Sequence, residues 1–529
     1  MMSEQEQTAL SESLRKERTR KLFLCGAFLL PFLWVLLLRI ITFAGAENSA
    51  EAFFHIRFSE RGIAGFFDRD FSAVYLAPWR EAFADGEWLF HFLLWISGGL
   101  RKIAGFETAA PFHWEYLFFL VLLNASFIFA ARWMGIRART IFAGCLLPPL
   151  LSVPSAMRLM MLQPHILALP LLFFMTGSLA CGSLNGRIWK SLLWSFLFSW
   201  SFDFPQIAVL TALFFAVFSF RQDSWKGLLL PAASLMGIVL GGLIHPQSPN
   251  VFSLRKMRSF DVIFHALDMK TLPELILPEW CPPDGRDFVC ALPLYLLAFV
   301  ILLLVIRHLE YRGRNGLSAP VLATAASALF FTLASIWLRR TVEFAVPFAV
   351  LAFLALADSA ARDDIPYPQL KKHWKKCAWL LFCVTLCWGI VTSCLLFLRM
   401  QESTSRFSDR VALRQALKQG FRADYILLNG DCADFPVLYY EAPHLCWLWG
   451  GDPAYFMKDH RKKLENLTSP VAISAEQISR DTGLHYLVLL DDGSEKRRAR
   501  KQYFLDCGWR LIGDFSGEGW IFTDLPEKR

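Results

Sequence analysis

Glu51 and His55 stand four residues apart in EAFFHIRFSERGIAGFFDRDF (51–71), a stretch that also holds Arg57, Glu60, Arg61, Asp68, Arg69 and Asp70 among aromatics. On a helix this spacing puts Glu51, His55 and Ser59 on one face. A carboxylate beside an imidazole in a partly desolvated cleft can serve as a tuned general base. The other reading is an ion pair that anchors a short helix. Asp68 and Asp70 in DRD could chelate a divalent metal through two carboxylates, or sit in a solvated turn. Asp85 and Glu87 precede an apolar stretch, where acids also suit a helix N-terminus. Further along lie Arg158 and His165 in MRLMMLQPH, then His245, Arg255 and Lys256 in HPQSPNVFSLRKMRSFD, then Arg339 and Arg340 in LRRTVEF. Arginine and lysine close to a membrane can hold the phosphate or diphosphate of a lipid headgroup. Against this, Arg339 and Arg340 could snorkel from a helix end, and Arg158, His165 and His245 could be satisfied packing residues.

The elements that must position these groups are largely membrane helices. Of 529 residues 55% are hydrophobic, with 49 Phe and 19 Trp, and only 19% are charged, against about 25% in soluble domains. Apolar runs of about 20 residues recur, the length that crosses the hydrocarbon core. The composition predicts a polytopic membrane protein, not a large soluble core. The net charge of +8 falls in short basic loops on alternate sides, so it marks topology and not nucleic-acid binding.

Spans are predicted at 22–44, 113–131, 140–157, 164–182, 190–203, 206–220, 227–244, 289–306, 318–338, 341–358 and 377–398, about eleven. A basic run from Arg15 to Lys21 places the N-terminal tail (1–21) in the cytoplasm, and the odd count places the C-terminus outside. The first span reads as an uncleaved anchor despite FAGA at 43–46. GEWLFHFLLWISGGL (86–100) reads as a helix lying in the outer interface, with Trp88 and Trp95 at headgroup depth. The long outer loops, 45–112 foremost, carry nearly all the candidate chemistry. The basic residues at 255–258 and 339–340 break the positive-inside trend there.

From about residue 399 the pattern changes to short strands, YILLNG, HLCWLWG, HYLVLL, WRLIGDF and GWIFTDL, with helices in DCADFPVLYYEA and SEKRRARKQYFLDCG. This predicts an extracytoplasmic α/β domain over 399–529, beside a transmembrane domain over 22–398. No Gly-rich phosphate loop occurs, so no nucleotide site is expected. The 12 Cys show no Cys/His ligand spacing, so zinc is not expected, and a divalent metal is left open. Cys281 and Cys290 could pair in an oxidising compartment.

The run FFHIRFSERGIAG…DFS…GEWLF resembles the first outer loop of bacterial GT-C-type membrane glycosyltransferase-like proteins, with its D-x-W-W-H-L, D-x-F-S and H-E-W-L pattern. QPHILALPLLFF, HPQSPNVFSL, PEWCPPD and RRTVEFAVPFAVLA resemble later segments of that family in the same order. WLWGGDPAYF and GWRLIGDFSGEGWIFTD resemble its C-terminal outer domain. The likeness covers nearly the whole chain. It implies a many-pass enzyme that uses lipid-phosphate-linked sugars, with a loop carboxylate that activates the acceptor or binds metal. Carried over, Glu51 stands at the family's Asp, His55 at its His, Glu87 at the Glu of H-E-W-L, and Arg339 and Arg340 at its R-R. The sequence departs from the pattern at Glu51 itself, at Gly86 where His is usual, at Gln163 where Arg is usual, and at His245 where Asn is usual.

The expectation is therefore an α-helical polytopic membrane protein, GT-C-like, in a bacterial inner membrane. It would transfer a sugar from a polyprenyl-phosphate-linked donor to a glycan, lipid or protein acceptor on the outer face. Glu51, His55 and Glu87 would be catalytic, and Arg339, Arg340, Arg255 and Lys256 would hold the donor phosphate. The rival expectation is a non-catalytic GT-C scaffold, acting as a lipid or glycan transporter or an envelope assembly factor.

Overall fold

The computed structural model describes residues 4–525 apart from 43–49, 76–78, 106–110, 262–281, 313–316, most of 363–409, 451–479 and some isolated positions. Four described helices are long and apolar enough to cross a membrane: Trp114–Trp133, Phe220–Ile244, Leu292–Glu310 and Arg339–Ala361. Three shorter apolar helices, His165–Ala180, Gln206–Phe218 and Ala319–Ala334, pack among them. The apolar helices differ in how much of their surface the protein covers. The His165–Ala180 helix is buried almost throughout, whereas Leu292–Glu310 keeps Leu296, Phe299, Leu302 and Leu303 on the surface.

Small residues set the closest helix pair. Gly237 and Gly241 on one helix face Leu184–Ser199 on the other, and a Cβ at Gly237 would lie 2.3 Å from the Leu192 carbonyl. Ser195 Oγ and Ser234 Oγ meet at 2.6 Å across the same seam. Glycines four apart with serines opposite let two backbones approach where no hydrophobic effect drives helices together.

The expected span at 140–157 does not form one helix among the described residues. A seven-residue helix, Ala138–Gly144, ends there. Pro148, Pro149 and Pro154 follow it in the sequence, and proline, without an amide donor, disfavours a helix interior. The expected span at 377–398, the FAGA segment and the Cys281–Cys290 pair fall largely or wholly outside the described residues. The first apolar run belongs to one long helix, Glu4–Thr42.

The chain beyond residue 410 builds a five-stranded sheet from Ile426–Asn429 (β1), Cys446–Trp447 (β2), Tyr486–Leu490 (β3), Arg510–Phe515 (β4) and Gly519–Thr523 (β5). The order is β2-β1-β3-β5-β4. β1 runs parallel to β2 and β3, and β5 runs antiparallel to β3 and β4. Helices Phe435–Glu441 and Glu495–Asp506 lie between strands. Ser494 caps the second by accepting from the Arg497 amide.

This sheet is docked on the first loop. Residues 73–75 lie parallel beside β2: the Trp447 amide donates to the Ala73 carbonyl at 2.9 Å, and the Tyr75 amide donates to the Trp447 carbonyl at 2.8 Å. Alongside runs an aromatic seam. Phe54 meets Phe435 and Tyr439 at 6.0 and 5.6 Å, Phe71 meets Tyr439 at 5.5 Å, and Phe53 meets Tyr440 at 5.1 Å between ring centroids.

Candidate active site

Two short helices make the site. Ala50–Ser59 carries Glu51 and His55. Trp88–Ile103 follows directly on Glu87 and carries His91 one turn in. Both present the same five-residue pattern, EAFFH at 51–55 and EWLFH at 87–91. The aromatic packing brings the two imidazoles face to face: Phe58 lies 4.7 Å from the His91 ring, and Phe90 lies 5.2 Å from the His55 ring.

His55 Nδ1 and His91 Nε2 are 2.8 Å apart. The other nitrogen of His91, Nδ1, donates to Asp85 Oδ2 at 2.7 Å. A carboxylate cannot donate in return, so Asp85 fixes the tautomer and leaves Nε2 with its lone pair. Asp85 is itself held: its Oδ1 accepts from the Glu87 amide at 3.0 Å, and its own amide donates to Gln247 Oε1 at 2.6 Å. Gln247 Nε2 in turn donates to the Asp68 carbonyl at 2.8 Å. Glu87 Oε2 lies 3.7 Å from His55 Nδ1. His55, Glu87 and His91 thus place three ligand-type atoms within 4.8 Å of one another, all on buried residues.

Two more residues close on Glu87. Arg258, in a wide turn over Met257–Asp261, reaches Glu87 Oε1 at 3.5 Å and forms an ion pair with Asp203. Asp203 comes from the loop ahead of Gln206–Phe218. Burial and the facing Glu87 carboxylate push the Asp203 carboxyl well above the usual range, while Arg340 pulls the other way. Gly86 is required where the family pattern has His: a Cβ there would meet Asp203 Oδ1 at 1.9 Å. His91, five residues on, supplies an imidazole instead.

A second arm of the network starts from Glu51, whose Oε2 accepts from Gln163 Nε2 at 2.6 Å. Gln163 Oε1 accepts from Arg158 Nη1 at 2.7 Å. Arg158, His165 and Arg340 then converge on Glu343, with Nε at 3.7 Å, Nδ1 at 3.4 Å and Nε at 3.6 Å from its carboxylate. Arg340 also lies 5.7 Å from the Phe202 ring and 6.0 Å from the Phe204 ring, the residues flanking Asp203. So the two arms meet beside Asp203. At their other ends they meet on one helix, where Glu51 and His55 are a single turn apart. Burial first, then the neighbouring His91, Arg258, Arg340 and His165, lowers the His55 pKa well below its ordinary value. His55 is neutral at pH 7, and burial opposes its protonation.

Other sequence candidates lie elsewhere. Arg339 pairs with Asp287 at 2.5 Å and Asp284 at 3.4 Å. Arg255 is buried and donates to the Ser199 carbonyl at 2.5 Å. Lys256 and Asp70 are exposed. Asp68 pairs with Arg61. His245 is buried at the end of the Phe220–Ile244 segment, and its Nδ1 accepts from the Gln247 amide at 3.2 Å. Trp88 is buried, with its indole N–H on the Phe66 carbonyl at 3.1 Å and its ring on Phe92 and Trp200, so it packs against protein. Sequence reasoning left out His91, Asp203, Gln247, Arg258 and Glu343 as site residues. The repeated E-x-x-F-H pattern is the signal that would have drawn attention to His91.

No family model matches the chain, and no curated protein matches it by sequence. The fold does match solved structures. The oligosaccharyltransferase of Archaeoglobus fulgidus in its apo form aligns with a TM-score of 0.58 at 11% identity, over 96% of this chain and 75% of that one. The same organism's oligosaccharyltransferase AglB, in complex with an inhibitory peptide and a dolichol-phosphate, aligns with a TM-score of 0.57 at 13% identity over the same shares. The fold is GT-C-like. ArnT from Cupriavidus metallidurans, bound to undecaprenyl phosphate, is a more distant match, with a TM-score of 0.49 at 12% identity over 94% of this chain and 98% of that one. A GT-C-like fold and the four apolar helices together make this an integral membrane protein.

Proposed function

We propose that the chain is a membrane glycosyltransferase that transfers a sugar from a polyprenyl-phosphate-linked donor to an acceptor hydroxyl or amide on the outer face of the membrane. The observation that carries this reading is the convergence of Glu51, His55, Glu87, His91 and Asp203 with Arg158, Arg258 and Arg340 in one buried network. It is supported by a fold shared along 96% of the chain with an oligosaccharyltransferase held with a dolichol-phosphate.

In this reading Arg258 and Arg340, which reach the network beside Glu87 and Asp203, take the donor phosphate, in place of Arg339, Arg255 and Lys256, which lie outside that network. Glu51 accepts the acceptor's proton. The Gln163 amide on its carboxylate favours the ionised form, which a base requires. The acceptor oxygen or nitrogen then bonds to the anomeric carbon, and the bond from that carbon to phosphate oxygen breaks. The electron pair leaves on the lipid phosphate, where guanidinium groups stabilise the developing charge. His55 and Glu87 orient the acceptor one helical turn from Glu51, and positioning supplies most of the rate. The C-terminal sheet, docked on the helix that carries Glu51 and His55, shapes the acceptor side.

The test is transfer from a lipid-phosphate sugar by purified protein. Glu51→Gln should keep the chain folded and lower the rate by about 10²–10⁴, the range for a lost general base. Glu60→Gln, whose carboxylate pairs with Arg57 at 2.5 Å on an exposed face, should leave the rate unchanged. Full activity in Glu51→Gln would remove Glu51 from the chemistry.

A further inference from the structure

His55, Glu87 and His91 have the composition and the support of a metal site. His91 Nε2 faces the cluster because Asp85 holds Nδ1 at 2.7 Å, and Asp85 is fixed in turn by the Glu87 amide and by Gln247. A carboxylate behind a histidine is the usual outer support of a metal-bound imidazole: it sets the tautomer and raises basicity. The ligand atoms come from Glu87 and His91, one turn apart at the start of one helix, and from His55 across the gap. The gap between His55 Nδ1 and His91 Nε2 is 2.8 Å. Two nitrogens at about 2.0–2.1 Å from a tetrahedral ion sit roughly 3.3 Å apart, so a small ring rotation opens the site.

We propose that His55 Nδ1, His91 Nε2 and a Glu87 carboxylate oxygen bind one divalent first-row transition ion, of the zinc class and not Mg²⁺ or Ca²⁺. Two imidazoles and one carboxylate suit zinc, manganese or iron, whereas magnesium and calcium take oxygen ligands. Binding moves the proton of His55 from Nδ1 to Nε2. The paired Cys/His spacing that marks many zinc sites is absent because His55 and His91 stand 36 positions apart in the chain. Metal binding here is read without any substrate, so its outcome is separate from that of the transfer assay.

The experiment is titration of the full-length chain, purified in detergent and stripped of metal, with Co²⁺, followed by its visible absorption. A band should grow and saturate near one equivalent, Zn²⁺ should bleach it, and a roughly hundredfold excess of Mg²⁺ should not. His91→Asn keeps a side-chain N–H placed for Asp85 but lacks the Nε2 ligand; His55→Gln keeps bulk but lacks Nδ1. Each should lose at least about tenfold in metal affinity, because losing even a group behind a metal ligand costs about 10–100-fold. His485→Gln, far off on the C-terminal sheet, should titrate like the parent. Gel filtration confirms that each variant remains monodisperse. Absence of a band in the parent, an unchanged band in both cluster variants, or displacement of cobalt by equimolar Mg²⁺ would each overturn the site.

Discussion

Replacing His245 with Asn should make the protein resistant to mild acid. His245 is 3% exposed, and burial pushes its pKa down from 6.5 to about 4, against a smaller upward pull from Asp85. The imidazole is neutral in the fold and must be protonated at a cost as the solution acidifies. A histidine whose folded pKa lies below its unfolded one leaves the unfolded chain holding more protons between the two values. Stability is then full above about pH 6.5 and falls as pH drops toward 4. With those two values the loss by about pH 5 is about 2 kcal/mol, and it approaches about 3 kcal/mol below pH 4. Asparagine cannot titrate. Its Oδ1 sits where His245 Nδ1 accepts from the Gln247 amide at 3.2 Å, so the local hydrogen bond survives, and the family pattern places Asn at this position. Trp200, 5.7 Å away edge-on, loses a ring contact, which lowers stability equally at every pH. The assay is unfolding in mixed micelles by denaturing detergent, followed by circular dichroism at about pH 7.5 and about pH 5, where linkage makes the difference largest. The gap between the two pH values should shrink by about 2 kcal/mol in the variant. His55 shifts in the same direction, so residual acid sensitivity is expected. An unshrunken gap would refute the assignment of acid sensitivity to His245.

Two further outcomes follow from the geometry. Arg258→Gln combined with Arg340→Gln should weaken binding of a short-chain polyprenyl phosphate by at least tenfold in a fluorescence titration, whereas Arg339→Gln should not, because Arg339 lies outside the Glu87–Asp203 network and pairs with Asp284 and Asp287; the reverse order would move the phosphate site to Arg339. Cysteine labelling of intact cells should modify a Cys at Lys496, in the C-terminal helix, and spare one at Asn185, beside basic Arg187; the opposite pattern would invert the topology.

The reading of the tail was the most legible part of the sequence. Runs such as HYLVLL and GWIFTDL combine β-branched, aromatic and apolar residues between Gly and Asp, and strands β3 and β5 form there. Those strands are short, local and bounded by turn residues, so local pattern suffices. The 140–157 segment misled because apolarity alone was weighed and Pro148, Pro149 and Pro154 were not. Glu51 and His55 stood out by their four-residue spacing and Glu87 by its place before an apolar helix, and each lies in the polar network. His91 did not, since it sits inside WLFHFLLW and reads as one more member of an apolar face. Asp203, Arg258 and Glu343 reach the cluster from distant loops and helices, and no spacing in a one-dimensional string announces that. Arg339 and Arg340 looked equivalent as neighbours, yet adjacent residues in a helical turn point to different sides. One met the acids at 284 and 287, the other met Glu343.

The strand pairing between residues 73–75 and β2 bears on how the protein is made and how it can be cut. Along the ribosome's direction of travel, the 73–75 segment emerges long before Cys446–Trp447, so it waits unpaired through synthesis of the whole helical bundle. The C-terminal piece, expressed alone, would carry β2 as a bare sheet edge next to the uncovered rings of Phe435, Tyr439 and Tyr440. Open edges of that kind recruit other copies of themselves. A soluble version of this region is therefore best built with the loop stretch that covers β2 grafted on, as a strand supplied in cis.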